Sequence, residues 1–230
     1  MRKHRKWAAF LLAGTLLLGL AACGTGPEEA ASAQETVSEN PDRKIVDSLG
    51  NETVLPEEPR VVSLYGSYAE CWALSGGSLV GVTEDAAEER GMELTDGMEL
   101  VGSVKEPSLE KIVSLEPDYV LMSADLAPHL QLQDSLEQMG IGCGYFQMDT
   151  FEEYRFAMEQ FCAVNGREDL LEKNVNAPGR HIEKILSSVP DGEKAPEVLL
   201  LRAYSTGMKA KKDVNLAGVI LKELGCHNIA

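Results

Sequence analysis

The stretch Arg60-Val61-Val62-Ser63-Leu64-Tyr65-Gly66-Ser67-Tyr68-Ala69-Glu70-Cys71-Trp72-Ala73-Leu74, followed by Leu79-Val80-Gly81-Val82, decides the fold. Val61 to Leu64 is an apolar run of strand length, Ser67 to Leu74 is a helix candidate, and Leu79 to Val82 is a second apolar run. A helix between two short strands is a βαβ rhythm, the unit from which parallel sheets are built.

The rhythm continues toward the C-terminus. Glu99 to Val104 is the next run, and the helix Ser108 to Leu115 starts at a serine suited to cap it, although Glu110 falls one place short of a capping box. Pro117 stops that helix, Tyr119 to Met122 reads as a buried strand, Leu126 to Met139 as a helix ended by Gly140, and Cys143 to Met148 as a strand. Thr150 with Glu153 completes a capping box, and Phe151, Tyr154, Ala157, Met158, Phe161 and Cys162 repeat at helical spacing up to Val164.

Arg167 to Val189 is a second helical stretch with Ala177-Pro178-Gly179 inside it, where the missing N–H of proline predicts a kink or a break. Past Pro190-Asp191-Gly192, Val198 to Leu201 reads as a strand, Arg202 to Lys212 as a polar loop, and Leu216 to Leu224 as a helix closed by Gly225. A lone βα unit has no second strand to pair with, so residues 195–230 read as the start of a second domain that is truncated in this chain. The expected class is therefore α/β: two doubly wound parallel-sheet lobes joined by a long helix, the second incomplete. Residues 44–165 form the first lobe and 166–190 the connecting helix.

Toward the N-terminus, Lys44 to Ser48 and Glu52 to Leu55 flank Leu49-Gly50-Asn51 and read as a hairpin. Residues 23–43 are rich in Glu, Ala, Ser, Thr and Pro and read as a flexible tether. Residues 1–22 carry Arg2, Lys3, Arg5 and Lys6 ahead of an apolar run from Trp7 to Leu20, which is a signal peptide. Leu20-Ala21-Ala22-Cys23 resembles a bacterial lipobox, which implies a diacylated Cys23 and a protein held outside the cytoplasm on the cell membrane by its lipid.

Removing the leader takes four of the 21 Lys+Arg and none of the 37 Asp+Glu, leaving 17 cations against 37 anions, a net of −20. That charge argues against nucleic acid as a partner. No two of Cys71, Cys143, Cys162 and Cys226 are spaced as CxxC or stand alongside histidines as a zinc site would require, so no metal site is expected. Their apolar flanks favour buried thiols, with one or two disulfides open in an exported chain. Without GxSxG, a P-loop or GxGxxG, the chain does not read as an enzyme, and no cofactor is expected.

Arg60-Val61-Val62-Ser63-Leu64, Glu70, Leu79-Val80-Gly81-Val82-Thr83, Val101-Gly102, Ser108-Leu109-Glu110-Lys111-Ile112 and Leu115-Glu116-Pro117-Asp118-Tyr119-Val120 come in an order and spacing that resemble one family. It is the periplasmic-binding family for ferric siderophores, haem and cobalamin. Leu224-Gly225 and Asn228-Ile229-Ala230 resemble the first unit of that family's second lobe. The resemblance implies a solute-binding component of an ABC importer, a monomer that holds a small metal chelate between two lobes and delivers it to permease subunits. A ferric siderophore is the leading reading, with haem, cobalamin or a non-transport sensor of the same fold as alternatives.

Ligands of open parallel sheets sit beyond the carboxyl ends of the strands. On that rule the ligand-binding candidates are Tyr65, Ser67, Tyr68 and Lys105 in the first lobe, with the strand-end segments Ser123 to Asp125 and Gln147 to Asp149 beside them. In the second lobe they are Arg202, Tyr204 and Lys209, in a basic loop suited to an anionic ligand. The resemblance also implies permease docking by Glu70 and by an equivalent carboxylate in the second lobe, where Lys222 stands at the aligned place and Glu223 beside it. Met122 and His129 are the residue types of a haem axial pair. Met122 nonetheless reads as a core residue and His129 as part of a helix start.

Overall fold

A computed structural model of the chain describes residues 43–188, 195–213 and 216–230. The leader, Cys23 and the tether up to residue 42 lie outside the described residues, as does Pro190-Asp191-Gly192. No helix among the described residues is long and apolar enough to cross a membrane.

Strands β1 (Lys44–Val46) and β2 (Glu52–Val54) pair antiparallel as the expected hairpin. The alternating units follow: β3 (Val61–Ser63), α1 (Gly66–Leu74), β4 (Gly81–Val82), α2 (Glu84–Glu88), β5 (Glu99–Leu100), α3 (Leu109–Ser114) and β6 (Tyr119–Ser123). Then come α4 (Ala127–Leu130), α5 (Gln133–Gln138), β7 (Gly142–Phe146) and α6 (Phe151–Val164). β3 to β7 form one five-stranded sheet, every neighbouring pair parallel, in the order β5-β4-β3-β6-β7.

Side chains of a strand alternate between faces, and this alternation divides the core in two. Val61, Tyr119, Leu121 and Phe146 pack on one face with Tyr68, Trp72, Met158 and Phe161 of α1 and α6. Val62, Val120, Met122 and Tyr145 pack on the other with Ile112 and Leu136 of α3 and α5. Trp72, Phe146 and Phe161 meet edge to face, with ring centroids 5.3 and 4.8 Å apart. Each fully buried large side chain contributes about 1.5–3 kcal/mol of apolar transfer, enough to fix which face of each helix turns inward.

Three expectations need correction. The single helix over 126–139 is two short ones, because the Leu132 N–H turns back to the His129 carbonyl at 3.1 Å, a tighter i−3 bond that redirects the chain. The connector does not break at proline. Helix α7 (Glu168–Leu171) passes through a π-helical turn, Glu172–Asn176, into α8 (Ala177–Leu186), which carries Pro178 in its first turn.

The third correction concerns the C-terminal stretch. The expected strand 198–201 is divided between β8 (Glu197–Val198) and β9 (Leu201–Tyr204), and the expected loop from Arg202 is a hairpin of β9 with β10 (Gly207–Ala210). Alternation of Leu201 and Ala203 with Arg202 and Tyr204 made it a ribbon, and Gly207 takes the positive φ, 146°, at the end of its turn. After α9 (Leu216–Glu223), β11 (His227–Asn228) pairs parallel with β8 and supplies the partner strand that the lone βα reading lacked.

Candidate functional site

The strand order fixes where a ligand can enter. From β3 the chain builds β4 and β5 toward one edge, then returns to place β6 and β7 on the other side of β3. The connection after β3 therefore leaves to one face and the connection after β6 to the opposite face, which opens a crevice at the carboxyl ends of these two neighbours. A hollow of about 510 Å³ lies there, lined by Tyr65, Ser67, Tyr68 and Glu70 after β3, Ser123 and Asp125 after β6, Met148 and Asp149 after β7, and Arg90 and Tyr154 at its sides.

The β3 end is held by the neighbouring crossover. Asp85 of α2 accepts the Gly66 N–H at 2.8 Å through one carboxylate oxygen and the Thr83 hydroxyl at 2.6 Å through the other. The carboxylate thus serves the first N–H of α1 in place of a side-chain cap from Tyr65, which makes none. The approach is close: a Cβ on Gly66 would stand 2.8 Å from the Ala86 nitrogen and 2.8 Å from Asp85 Oδ2. Ser63 donates its hydroxyl to the Tyr65 carbonyl at 2.9 Å, so the backbone of Tyr65 is fixed while its ring stays half-buried at the hollow.

The β6 end is held by a histidine. His129 is fully buried; its Nδ1 accepts the Ser123 N–H at 2.9 Å, and its Nε2 lies 3.0 Å from the Val104 carbonyl. Those partners require the neutral tautomer with the proton on Nε2. Burial lowers the pKa of this imidazole and outweighs the opposing pull of the Val104 carbonyl and of Asp85. At the β7 end the capping box is complete: Glu153 accepts the Asp149 and Thr150 N–H groups, and Thr150 accepts the N–H of Glu153.

The first-lobe tyrosines differ. Tyr68 is 4% exposed and donates its hydroxyl to the Phe146 carbonyl at 2.8 Å, so it is chiefly a core residue whose edge shows in the hollow. Tyr65 meets it edge to face at 5.0 Å and presents the more accessible ring. The ionic groups of the hollow are the carboxylates of Glu70, Asp125 and Asp149 and the guanidinium of Arg90, which pairs with Glu70 at 3.7 Å.

The structure brings Tyr65, Ser67, Tyr68 and Glu70 together. It does not bring Arg202, Tyr204 or Lys209 to the same hollow, whose only wall residue from the C-terminal stretch, among the described residues, is Leu216. Those three lie on the β9–β10 ribbon, with the Arg202 guanidinium 5.1 Å and the Lys209 ammonium 6.0 Å from the centre of the Tyr204 ring. Lys105 is exposed on the β5–α3 connection and is not one of the residues that line the hollow. Glu223 borders a different, apolar groove of about 710 Å³ between α6, α8 and α9.

Both ring nitrogens of His129 are engaged and Met122 is fully buried in the core, so neither is free to ligate haem iron. Cys71, Cys143, Cys162 and Cys226 are free thiols, with burial pushing the first two up to about 12. No cluster of three His, Cys, Asp or Glu suited to a metal occurs among the described residues.

Sequence reasoning missed Asp85, Arg90 and Tyr154. The strand-end rule applied to β4 would have found Asp85, two residues past Thr83. Arg90, in the turn after α2, and Tyr154, in the first turn of α6, reach the hollow through the tertiary fold, and no local pattern marks them as lining it.

Residues 61–230 match the family described as periplasmic binding protein. The chain is 24% identical over 172 residues to the iron(3+)-hydroxamate-binding protein FhuD of Bacillus subtilis, covering 74% of this chain and 52% of that protein. It is 29% identical over 213 residues to YhfQ of the same bacterium, provisionally named an ABC transporter substrate-binding lipoprotein, covering 89% and 62%. Among solved structures it superposes on the periplasmic catecholate-siderophore binding protein VctP of Vibrio cholerae with a TM-score of 0.66 at 17% identity, over 81% of this chain and 67% of that one. The chain thus spans 52% and 62% of the length of the two curated relatives.

Proposed function

The chain belongs to the periplasmic binding protein family, and we propose that it is the extracytoplasmic solute-binding component of an ABC importer, capturing a ferric siderophore and delivering it to a permease. The observation that carries this reading is the hollow at the β3/β6 switch point, where Tyr65, Ser67, Ser123, Asp125 and Asp149 surround about 510 Å³. An aromatic ring with hydroxyls and carboxylates around it suits a chelate whose surface mixes methylene chains with amide N–H donors.

The charge of the wall selects within that class. Three carboxylates against one guanidinium oppose a strongly anionic chelate such as a ferric catecholate, and tolerate a neutral or cationic ferric hydroxamate. The basic ribbon that suggested an anionic ligand lines no part of this hollow. Similarity to a protein named for binding iron(3+)-hydroxamate supports the same choice. Haem stands below it, because both ring nitrogens of His129 are engaged, Met122 is buried in the core, and no histidine is found in the wall among the described residues.

In this reading Cys23 carries the lipid that holds the protein at the membrane, and Glu70, half-exposed beside the hollow, meets the permease. Calorimetric titration of the protein with a ferric trihydroxamate, a ferric tricatecholate and haem tests the assignment. The hydroxamate is expected to bind tightest, and no binding by any of the three refutes it.

A further inference from the structure

The connector runs through Pro178 without breaking, and the group that takes over the lost hydrogen bond belongs to the ligand hollow. In an α-helix the N–H of residue 178 would donate to the carbonyl of residue 174; proline has no N–H, and its ring crowds that carbonyl. The π-helical turn widens the helix just ahead of the crowding, with the Ala177 N–H reaching back five residues to the Glu172 carbonyl. The Asn174 carbonyl accepts the hydroxyl of Tyr154, 3.1 Å away on α6.

Asn174 is tied a second time, its side-chain amide donating to the Leu74 carbonyl at the end of α1 at 2.9 Å. The turn is thereby fastened to the C-terminal end of α1, whose other end borders the hollow, and to the first turn of α6, which borders it directly. Tyr154 itself stands in the wall of that hollow with Tyr65 and Asp149. Burial raises its phenol to about 12, so it remains a donor at neutral pH.

We propose that Tyr154 is a positioning residue that couples the ligand hollow to the connector, its hydroxyl standing in for the N–H that Pro178 lacks. The coupling to ligand rests on the reading of the hollow as the chelate site. A ligand packed against the Tyr154 ring restricts the ring, keeps its hydroxyl on Asn174 and tightens the π turn. The turn then reports occupancy along the element that joins the two parts of the chain.

Hydrogen exchange on the full chain, compared among wild type, Tyr154→Phe, Pro178→Ala and the double variant, tests the linkage without ligand. Removing the hydroxyl is expected to speed exchange of the amides of residues 175–177, 179 and 180 by about threefold to tenfold, the range of one net hydrogen bond. In the Pro178→Ala background, where residue 178 again has an N–H to donate, the same substitution is expected to change exchange by less than about twofold. Equal acceleration in both backgrounds, or none in either, overturns the proposal.

A second arm adds a saturating ferric trihydroxamate to the wild type and to Pro178→Ala. Slower exchange at the same amides in the wild type alone supports the coupling, and tight binding with unchanged exchange there contradicts it. Absence of binding counts against the chelate assignment, while the ligand-free comparison still decides the linkage.

Discussion

The buried imidazole of His129 accepts the backbone N–H of Ser123 at 2.9 Å, fastening the end of strand β6 to the helix start that follows it. Its other nitrogen faces the Val104 carbonyl at 3.0 Å, so one neutral ring joins two strand-end connections. Protonation would set a second donor against the Ser123 N–H and place a charge in the core.

The sign of the resulting pH dependence follows from burial. The folded pKa lies below the ordinary histidine value of 6.5, so the unfolded chain takes up the proton first as the pH falls. This group's contribution is present in full above about pH 6.5 and declines below it, by at most about 1.4 kcal/mol per pH unit. Urea unfolding between pH 7.5 and 5.0 is expected to show a shallower fall for His129→Asn, which keeps an acceptor near the Ser123 N–H, than for the wild type. Parallel profiles would remove His129 as the cause.

Tyr65 and Tyr68 are expected to separate in their effects. Tyr68→Phe loses the buried bond to the Phe146 carbonyl, which keeps the Ala124 N–H as a partner at 3.1 Å, so the cost is about 1 kcal/mol of stability. Tyr65→Ala removes a half-exposed ring whose hydroxyl makes no such bond and is expected to lower chelate affinity at least tenfold with a smaller loss of stability. Denaturant midpoints and titrations on both variants check the division.

Asp85 touches the site only through the backbone of Gly66. Asp85→Ala leaves the first N–H of α1 without its acceptor and is expected to cost about 1–2 kcal/mol and to weaken chelate binding several-fold. Asp85→Asn retains an acceptor oxygen and is expected to restore most of the affinity. Failure of asparagine to rescue would show that the charge, not the position of Tyr65, is what matters.

On the proposed function, the preference for a chelate without net negative charge is expected to depend on Asp125 and Asp149. Asp125→Asn combined with Asp149→Asn is expected to narrow the gap between ferric hydroxamate and ferric catecholate, by about tenfold at low salt and less at high salt. Competition titrations at two ionic strengths read this directly. An unchanged ratio would place the selectivity elsewhere.

How far the sequence carried can be judged from particular residues. Val61–Ser63 and Tyr119–Ser123 were legible as buried strands because unbroken apolar runs leave no other reading, and their order located the strand-end residues Tyr65, Ser67, Asp125 and Asp149. The β9–β10 ribbon was missed because its apolar residues alternate with charge in so short a span that the cations dominated the reading. The π turn ahead of Pro178 was not legible, since it depends on Tyr154, twenty residues earlier, reaching the Asn174 carbonyl. Nor was the neutral state of His129, which follows from a packing that no local pattern encodes.

On the proposed function the hollow between the ends of β3 and β6 holds a ferric chelate. Calorimetric titration of a ferric trihydroxamate into the wild type and Tyr65→Ala, each at matched fold stability, tests it most directly. Saturable one-to-one binding by the wild type is expected, with at least a tenfold weaker affinity for the variant. Equal affinity in the two proteins, or no heat from the wild type with hydroxamate, catecholate or haem, would contradict it.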